Sequence, residues 1–463
     1  MKKTLILFMV ACLLLCLIPS VGMIFFPTTE TSENKAMAPA PKLLTEEGGF
    51  NQKVFSDFET WFTEHMALRN RMVYTDAVIQ TSLFQESNVS GVIYGTDGWM
   101  YYTSTLSDYQ GTDVMSEREL FNLSHNFSVI QEYLDERDIP FVLTIAPNKN
   151  TLYGENMPYY KDFVVNPDHN AQLLAPELQK QGVTYMDLFE IFREQEEILY
   201  LRQDSHWNMK GACLAYNHLM DTLELPHETY DNVDPKILAN RDGDLNRMLY
   251  SFYGPMEEDY DYGLPGNWSY VGNADSVEDG WIVTENPRGT GTLLMFRDSF
   301  ANTLIPFFSE QFQTAYYSKG EPNGMEKFVE TYQPDCVVIQ KVERNIANYL
   351  NNPPILTPPE TELPDRRILA ETLSAVQLEN TMFDANYYAI SGTVDPERME
   401  AESAVAVSVD GKVYRAYHTG ENGYVLYLKK DLFGEDSAKV RVYIVNEDHC
   451  VQAVAAELTL PQS

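Results

Sequence analysis

The sequence has few basic residues and few cysteines for its length of 463 residues. Lysine and arginine together number 33, against 68 aspartates and glutamates, which gives a net charge of -35. Because nucleic-acid binding needs clustered lysine and arginine against phosphates, this balance excludes DNA and RNA as partners. Of the five cysteines, Cys12 and Cys16 lie in an apolar N-terminal stretch. The rest imply no disulfide framework, and the apolar surroundings of Cys213 and Cys336 predict buried side chains.

Recognisable metal-binding patterns are also missing. The eight histidines are scattered, and the run Arg241-Asp242-Gly243-Asp244 lacks the spaced carboxylates and the closing glutamate of an EF-hand loop. We therefore expect no metal and no cofactor. A metal hydrolase with Asp204 and His206 as ligands is kept as a weaker alternative.

The N-terminus carries a long charge-free segment, residues 4–26, directly after Lys2 and Lys3. As a helix of about 23 residues it is long enough to cross a bilayer. We expect a transmembrane anchor with the N-terminus in the cytoplasm and the folded part exported, because lysines favour the cytoplasmic side. A cleaved signal peptide and a lipoprotein that begins at Cys12 are the alternatives, but the apolar run continues well past both expected cleavage regions.

The rest of the chain predicts two folded parts, since 44% of the residues are hydrophobic and 12% are aromatic. The expected organisation is a transmembrane anchor 4–26, a linker 27–48, an α/β domain 49–350, a Pro-rich linker 351–365 and a β-sandwich-like domain 366–463. The β-rich part can either bind carbohydrate or act as a structural spacer.

Strands and helices alternate through the first folded part. Phe141–Ile145 and Val183–Met186 have strand character, and Leu173–Gln181 and Leu188–Gln195 have helix character. This alternation predicts a mainly parallel sheet covered by helices, a three-layer α/β fold, with ligands at the C-terminal ends of strands. The acidic stretch 224–290 interrupts the pattern, either as a lid or binding loop or as a solvated excursion.

Two short segments can supply a nucleophilic catalyst. Asp204 and His206 are two residues apart, and Ser299 follows an apolar run, 292–296, where a helix is expected to begin. A serine hydroxyl needs an imidazole as base and a carboxylate to orient that imidazole. Backbone N–H groups at a helix start can also stabilise a developing oxyanion.

The order of these motifs resembles a known family. The run Tyr200-Leu201-Arg202-Gln203-Asp204-Ser205-His206-Trp207-Asn208, followed by Arg297-Asp298-Ser299-Phe300, is similar to the DHHW family and to alginate O-acetyltransferases of the AlgX and AlgJ type, which are SGNH-hydrolase-like. Further matches are Glu33-Asn34-Lys35, the hairpin Gly98-Trp99-Met100-Tyr101, Pro147-Asn148-Lys149 and Glu343-Arg344.

The resemblance implies Ser299 as nucleophile, His206 as general base and Asp204 as the residue that orients the base. Two departures stand out: Ser205 replaces the second histidine of the family name, and Arg297 replaces the glycine of the commoner Gly-Asp-Ser. The second oxyanion donor is unassigned.

Other residues are weaker candidates for the oxyanion or the substrate. They are Asn302, Arg344, Arg297, Lys149 and Trp207. The alternatives are a strand-end ion pair for Arg344, a solvated loop position for Lys149 and packing beneath the His206 loop for Trp207.

The resemblance implies a membrane-anchored, extracytoplasmic O-acetyltransferase or acetylesterase that acts on cell-surface or exported polysaccharide through an acyl-serine. A transferase would need acetyl groups from a membrane-bound O-acyltransferase, because acetyl-CoA is cytoplasmic. The alternative of another class is a catalytically silent glycan-binding protein of the cell envelope, motivated by Arg297 and the missing oxyanion donor.

Overall fold

The computed structural model describes residues 2–30, 36–45, 48–320, 324–365, 367–370, 376–380, 384–434 and 437–460. Its α-helices are α1 Lys2–Gly22, α2 Val54–His65, α3 Arg69–Ile79, α4 Leu106–Gln110, α5 Glu117–Asp135, α6 Lys149–Tyr153, α7 Asn170–Lys180, α8 Leu188–Arg193, α9 Met209–Thr222, α10 Asp244–Tyr250, α11 Ile305–Gln311, α12 Met325–Tyr332 and α13 Asn348–Asn351. A π-helical turn, Gln80–Phe84, continues α3.

The strands follow in the same order along the chain. They are β1 Val92–Tyr94, β2 Met100–Tyr102, β3 Phe141–Ala146, β4 Tyr185–Met186, β5 Lys236–Arg241, β6 Glu257–Asp261, β7 Ser269–Val271, β8 Trp281–Glu285, β9 Thr292–Phe296, β10 Thr314–Ser318, β11 Cys336–Val342, β12 Glu360–Thr361, β13 Arg367–Ala370, β14 Val376–Asn380, β15 Tyr387–Thr393, β16 Ala404–Val409, β17 Lys412–Arg415, β18 Tyr417–Thr419, β19 Gly423–Lys429, β20 Ser437–Val445 and β21 His449–Thr459.

Short 3-10 helices connect many of these elements. They are Thr96–Gly98, Thr103–Thr105, Gly154–Asn156, Tyr159–Phe163, Ser251–Tyr253, Ser299–Thr303, Glu343–Asn345, Pro396–Arg398 and Lys430–Leu432.

A seven-stranded sheet forms the centre of the first folded part, in the order β4-β3-β11-β9-β10-β8-β7. Five neighbouring strands of this sheet are parallel to one another, namely β4, β3, β11, β9 and β10. At the far edge, β8 pairs antiparallel with β10, and β7 pairs antiparallel with β8. The expected mainly parallel sheet is therefore confirmed. The antiparallel edge comes from the acidic stretch 224–290, so part of that stretch is neither a lid nor a solvated excursion.

Successive side chains of the central strands face two different apolar layers, as the two-residue period of a strand requires. On β3, Val142 and Ala146 pack with residues of α8, α9 and α11. Phe141, Leu143 and Ile145 of the same strand pack with residues of α5, α7 and α12. Helices therefore cover both faces, which confirms the three-layer α/β fold.

The longest helix of the α/β layers begins as its sequence indicates. The Ser116 hydroxyl accepts from the Glu119 backbone N–H at 3.2 Å, and the Glu119 carboxylate accepts from the Ser116 N–H at 2.8 Å. This capping box satisfies N–H groups at the start of α5 that have no partner within the helix. Cys213 and Cys336, on α9 and β11, are buried free thiols, as their apolar surroundings indicate.

The C-terminal part contains two further sheets around one apolar core. A six-stranded sheet has the order β12-β17-β16-β20-β21-β13, and a four-stranded sheet has the order β14-β15-β19-β18. Asp410 and Gly411 connect β16 to β17 with φ of 49° and 93°, which is the backbone that a tight hairpin turn needs. The expected β-sandwich-like character of this part is confirmed.

The β-sandwich packs against α5 through a buried polar interface. The Asn126 side chain pairs with the backbone of His418, accepting from its N–H at 2.7 Å and donating to its carbonyl at 2.9 Å. Arg415 donates to His125 Nδ1 at 3.0 Å, and Arg118 donates to His418 Nδ1 at 3.3 Å. Both Nδ1 atoms are therefore acceptors, so both imidazoles are neutral.

Burial reinforces this neutrality. Burial, together with the positive charge of Arg415, lowers the pKa of His125 well below its usual value. Burial and the charge of Arg118 do the same to the pKa of His418. The His418 Nε2 has no hydrogen-bond partner among the described residues. A proton at this interface would therefore add a positive charge between two guanidinium groups, and the carboxylate beside them, Glu132, is already paired with Arg415.

Helix α1 has the length and the apolar composition of a membrane span over Lys3–Gly22. The expected anchor covers residues 4–26, whereas the helix ends at Gly22 and residues 23–26 form a turn and a bend. The end of α1 contacts the corner after α2, where the Ala67 N–H donates to the Pro19 carbonyl at 3.3 Å. The motif Glu33-Asn34-Lys35 lies outside the described residues.

The histidine interface predicts a stability that falls with acidity. The unfolded chain takes up protons on His125 and His418 below about pH 6.5, whereas the folded chain does not, so stability is full above that pH and is lost as pH falls. Each histidine should contribute a loss of about 1.4 kcal/mol per pH unit below that value.

Denaturant unfolding of wild type, His125→Gln and a half-exposed control, His218→Gln, at several pH values measures this. His125→Gln should flatten the acid slope of the unfolding free energy, and His218→Gln should not. Equal slopes in wild type and His125→Gln would refute the assignment.

Candidate active site

Ser299, His206 and Asp204 form one series of hydrogen bonds. The Ser299 Oγ lies 2.9 Å from His206 Nε2. The other ring nitrogen, Nδ1, lies 2.6 Å from Asp204 Oδ1. Asp204 is buried, and the His206 side chain is 15% exposed. Nucleophile, base and orienting carboxylate thus have the mutual geometry of a catalytic triad.

Ser299 is positioned by the end of β9 and by its neighbour Asp298. The chain leaves the sheet at Phe296, and Ser299 begins the 3-10 helix Ser299–Thr303. Asp298 Oδ1 accepts from the Phe300 N–H at 2.9 Å, and Oδ2 accepts from the Val342 N–H of β11 at 2.6 Å. Asp298 therefore fixes the serine turn to the adjacent strand. One backbone N–H at the start of this helix, that of Phe300, is therefore already bonded.

Lys149 holds the loop that carries Asp204 and His206. Its buried ammonium group donates to the carbonyls of Leu201, Arg202 and Asp204 at 3.0, 2.9 and 2.6 Å. Burial lowers its pKa to about 8, against the attraction of the nearby carboxylates of Asp244, Asp204 and Glu257.

Lys149 therefore occupies neither of the two positions suggested by the sequence, a substrate contact or a solvated loop. It is not a solvated loop lysine, and its N–H groups are engaged with backbone, so it is not placed to bind an anionic substrate. The ammonium lies 5.7 and 5.3 Å from the ring centroids of Trp99 and Tyr101. The hairpin Gly98-Trp99-Met100-Tyr101 thus supports the loop through Lys149.

The acidic stretch holds the same loop from the opposite side. Arg241 donates to Asp204 Oδ2 through Nε at 3.2 Å and through NH2 at 3.1 Å. Asp244 accepts from the Ser205 N–H at 2.7 Å and from the Ser205 hydroxyl at 2.5 Å. Glu257 accepts from the Arg202 and Gln203 N–H groups at 2.5 and 2.8 Å. We call Arg241, Asp244 and Glu257 the clamp.

Gly243 permits the clamp to approach this closely. A Cβ at Gly243 would lie 2.2 Å from the Gln203 carbonyl oxygen and 3.0 Å from the Asp204 nitrogen. Both contacts are with backbone, which has little freedom to move away. Glycine is therefore required here by space.

The charges of the site support a basic imidazole. Burial lowers the pKa of His206, but the charge of Asp204 and its hydrogen bond outweigh that effect, so the net pKa is raised. Burial raises the pKa of Asp204, but His206 and Arg241 hold it below its ordinary value, so it stays ionised. Burial and the charge of Asp204 raise the pKa of Asp244. Asp204 is therefore the ionised carboxylate that bonds to the His206 ring.

Trp207 is buried beneath the site and is not a platform for a sugar ring. It is fully buried, and its Nε1 donates to the Thr303 hydroxyl at 2.6 Å. The indole packs edge-on against Phe300 with ring centroids 5.3 Å apart. Phe300 in turn lies 4.7 Å from the His206 ring. Trp207 therefore packs beneath the His206 loop, as the packing alternative predicts.

The Arg297 guanidinium is engaged by other partners than the serine. It is buried, and it donates through NH2 to the carbonyls of Val277 and Asp279 at 3.0 and 2.8 Å, and through NH1 to Asn302 Oδ1 at 2.5 Å. Burial lowers its pKa to about 10. The arginine that replaces glycine next to Asp298 thus ties the serine turn to the chain before β8. This removes the reason for regarding it as an obstacle at the oxyanion site.

Arg344 remains near the site with donors available. Its NH1 donates to Asn148 Oδ1 at 3.2 Å, and its guanidinium carbon lies 5.8 Å from the centroid of the Phe300 ring. No carboxylate in the described part of the chain lies within ion-pair distance of Arg344, so the expected strand-end ion pair is not found there.

Asp204, His206 and Asp244 also bring possible metal ligands within 4.8 Å of one another. However, Asp204 Oδ1 accepts from His206, and Asp204 Oδ2 accepts from the Arg241 guanidinium. A cation bound to these three residues would lie beside that guanidinium and would compete with the His206 proton for Asp204. The donor set fits a proton-transfer site better than a metal site.

The geometry of the site predicts that the His206 pKa depends on the charge of the Asp204 carboxylate. In Asp204→Asn, burial continues to lower the His206 pKa, the larger of the two carboxylate charges that raise it is gone and only Asp244 remains, so the pKa should fall. Nuclear magnetic resonance titration of the imidazole measures this without reference to activity. The control Asp242→Asn removes a carboxylate that pairs with Arg247 at 2.8 Å and should leave the His206 pKa unchanged. An unchanged pKa in Asp204→Asn would contradict the arrangement.

Comparison with known proteins covers part of this site. Residues 92–254 match the model of the SGNH hydrolase-like domain of acetyltransferase AlgX, a range that includes Asp204, His206 and the start of the clamp but not Ser299. The chain is 26% identical over 163 residues to the "Probable alginate O-acetylase AlgJ" of Pseudomonas syringae pv. tomato. That alignment covers 35% of this chain and 40% of the relative, so the chain spans less than half of the length of this relative.

Solved structures with a similar chain path include Bacillus cereus PatB1, at 17% identity and a TM-score of 0.45, covering 55% of this chain and 96% of that one. A DHHW family protein from Eubacterium siraeum aligns at 14% identity and a TM-score of 0.41, covering 55% of this chain and 91% of that one. The resemblance to SGNH-hydrolase-like proteins of the AlgX and AlgJ type, expected from the sequence, is confirmed by the family model over residues 92–254.

Proposed function

We propose that this protein is an SGNH-like enzyme that moves acetyl groups through an acyl-serine at Ser299. The observation that carries the proposal is the hydrogen-bond series from Ser299 Oγ through His206 to Asp204, at 2.9 and 2.6 Å. The names of the relatives, alginate O-acetylase and acetyltransferase, support acetyl as the group that is moved.

The first half-reaction forms the acyl-enzyme. The Ser299 oxygen attacks the carbonyl carbon of an acetyl donor while His206 Nε2 takes the serine proton. The imidazolium is stabilised by the Asp204 carboxylate. When the tetrahedral intermediate collapses, His206 returns the proton to the departing oxygen of the donor, and the acetyl group stays on Ser299.

The second half-reaction releases the acetyl group to an acceptor hydroxyl. His206 takes the proton of that hydroxyl, whose oxygen attacks the acyl carbon, and then returns a proton to the Ser299 oxygen. With a sugar hydroxyl as acceptor the product is an O-acetylated polysaccharide, and with water it is acetate. The same site therefore serves transfer and hydrolysis.

For the oxyanion we propose the backbone N–H of Ser299 and the guanidinium of Arg344. The Phe300 N–H is bonded to Asp298, so it is not a free donor. The Asn302 side chain accepts from Arg297 through Oδ1, which leaves its amide nitrogen as a further candidate donor. Arg344 packs over the Phe300 ring, the ring that also contacts His206. A cation with free N–H groups is suited to a developing negative oxygen.

We further propose that α1 anchors the enzyme in the membrane with the folded part outside the cytoplasm. The support is the span Lys3–Gly22 and the lysine pair at its start. A transferase in that location needs acetyl groups from the cytoplasm, and a polytopic membrane-bound O-acyltransferase is the class of partner that can supply them.

Activity on a simple ester tests the proposed chemistry. With purified protein and p-nitrophenyl acetate, Ser299→Ala and His206→Ala should each lower kcat/KM about a thousandfold, because either change breaks the acyl-transfer unit. The exposed control Ser56→Ala should be indistinguishable from wild type. Turnover that survives both Ser299→Ala and His206→Ala would rule out this mechanism. Wild type that has no turnover but binds glycan would favour the silent binding protein.

Fractionation tests the anchor. The full chain expressed in a bacterial host should stay with membranes after an alkaline wash, and the mass of the extracted protein should include residues 2–26. Arginine at both Leu14 and Leu15 should reduce retention, because each arginine at the centre of a span costs about 2.5 to 3.5 kcal/mol. A released protein that lacks residues 2–26 would show a cleaved signal instead.

A further inference from the structure

A groove lies directly beside the clamp, on the outer side of Arg241. It has a volume of about 410 Å³ and is formed by the hairpin of β5 and β6 together with the first residue of α9. Its lining includes Leu238, Asn240, Arg241, Asp259, Tyr260 and Asp261. The groove is built mainly by the acidic stretch.

The lining combines a tyrosine ring with amide and carboxylate groups. Sugars present hydroxyl groups at their rims and C–H surface on their faces, so they suit sites where aromatic rings lie next to hydrogen-bonding side chains. The Tyr260 ring is held by Lys210, whose ammonium lies 4.6 Å from the ring centroid. Asp259 is held by the Met209 and Tyr260 N–H groups at 2.9 and 2.8 Å. The groove is therefore formed in advance of any ligand.

The groove is connected to the reacting atoms through Arg241. This residue lines the groove and also donates to Asp204. Between the groove and the Ser299 oxygen lie Arg241, Asp204 and His206 in series. A single sugar cannot occupy both places, so a ligand that reaches Ser299 from the groove must span several sugar units.

The charge of the groove restricts that ligand. Within the lining, Asp259 and Asp261 carry negative charge, and Arg241 directs two of its nitrogen atoms at Asp204. The Lys210 ammonium beside Tyr260 is paired with Glu197 at 2.8 Å. Strand β6 adds Glu257 nearby, and the whole chain has a net charge of -35. A polymer with a carboxylate on every sugar would be repelled by this surface.

We propose that the groove is a distal subsite for the acceptor glycan, that it takes a segment without carboxylates, made of neutral or amino sugars, and that it disfavours polyuronates. The proposal rests on the acyl-transfer function proposed above, and it names the class of acceptor for that function. Tyr260 and Asp261 determine the specificity.

Glycan binding to Ser299→Ala protein tests the groove without any turnover. Calorimetric titration would use equal-length oligomers of β-1,4-linked glucose, glucosamine and galacturonate. The glucose and glucosamine oligomers should bind, and the galacturonate oligomer should bind at least roughly tenfold more weakly, because several like charges are opposed. Adding Tyr260→Ala should weaken binding of the glucose oligomer roughly fivefold, since a ring contact is lost.

Two charge-reversal variants, Asp261→Lys and Glu258→Lys, form a matched pair. Asp261→Lys should tighten galacturonate binding roughly three- to tenfold. Glu258→Lys makes the same charge change on the same strand outside the groove lining and should have a much smaller effect. The proposal would be overturned if the galacturonate oligomer bound wild type with the same affinity as the glucose oligomer. It would also be overturned if neither Tyr260→Ala nor Asp261→Lys changed the affinity for these oligomers.

The ester assay separates this inference from the proposed function. Tyr260→Ala and Asp261→Lys in the otherwise native enzyme should leave p-nitrophenyl acetate turnover unchanged, because that ester does not reach the groove. The same variants should raise KM for transfer to glucose oligomers. Absent ester turnover counts against the acyl-serine mechanism, whereas intact ester turnover with unaltered glycan binding counts against the groove.

Discussion

The structure around the candidate site depends on one buried negative charge, the carboxylate of Asp204. A buried carboxylate is costly unless it is paired and hydrogen-bonded. Its Oδ1 accepts from the His206 ring and backbone, and its Oδ2 accepts from Arg241 and from the Asp244 N–H. These bonds keep the carboxylate ionised and orient the imidazole towards Ser299. Asp204 is therefore bonded to His206 on its own loop and to Arg241 and Asp244 of the clamp.

Segments far apart in sequence serve this one loop. The hairpin of β1 and β2 supports Lys149, and Lys149 binds the carbonyls of residues 201, 202 and 204. Glu257 binds N–H groups of the same loop. Asp298 performs a similar task for the serine by joining it to β11. Lys149, the β1–β2 hairpin and Asp298 belong to motifs that resemble the AlgX and AlgJ proteins, and all three hold the backbone around Ser299 and His206.

The sequence predicts the parts of the fold that have a strong local period. The alternation of strands and helices gives the three layers, and the Ser116 and Glu119 pair gives the start of α5. The dyad of Asp204 and His206, with Ser299 after a strand, is visible because parallel strands deliver their C-terminal ends to one edge.

The clamp could not be predicted in the same way. Arg241 and Asp244 lie 37 and 39 residues from their partners Asp204 and Ser205, in a stretch without a clear period. A glycine between acidic residues also fits an ordinary turn, so Gly243 gave no sign that space requires it. Lys149, Trp207 and Arg297 are candidates from the sequence for contacts to the substrate or the oxyanion, with a solvated loop position for Lys149 and packing beneath the His206 loop for Trp207 as the alternatives. The orientation of these three side chains depends on burial and on the nearest hydrogen-bond acceptors, which a single sequence does not show.

The most direct test of this account is the site of acetylation. The enzyme would be exposed briefly to p-nitrophenyl acetate, quenched in acid and digested, and each peptide would be examined by mass spectrometry. The account predicts an acetyl group on Ser299 in wild type, much less of it in Asp204→Asn, and none on that peptide in Ser299→Ala. An acetyl group found only at other residues, or equal labelling of Ser299 in wild type and Asp204→Asn, would contradict it.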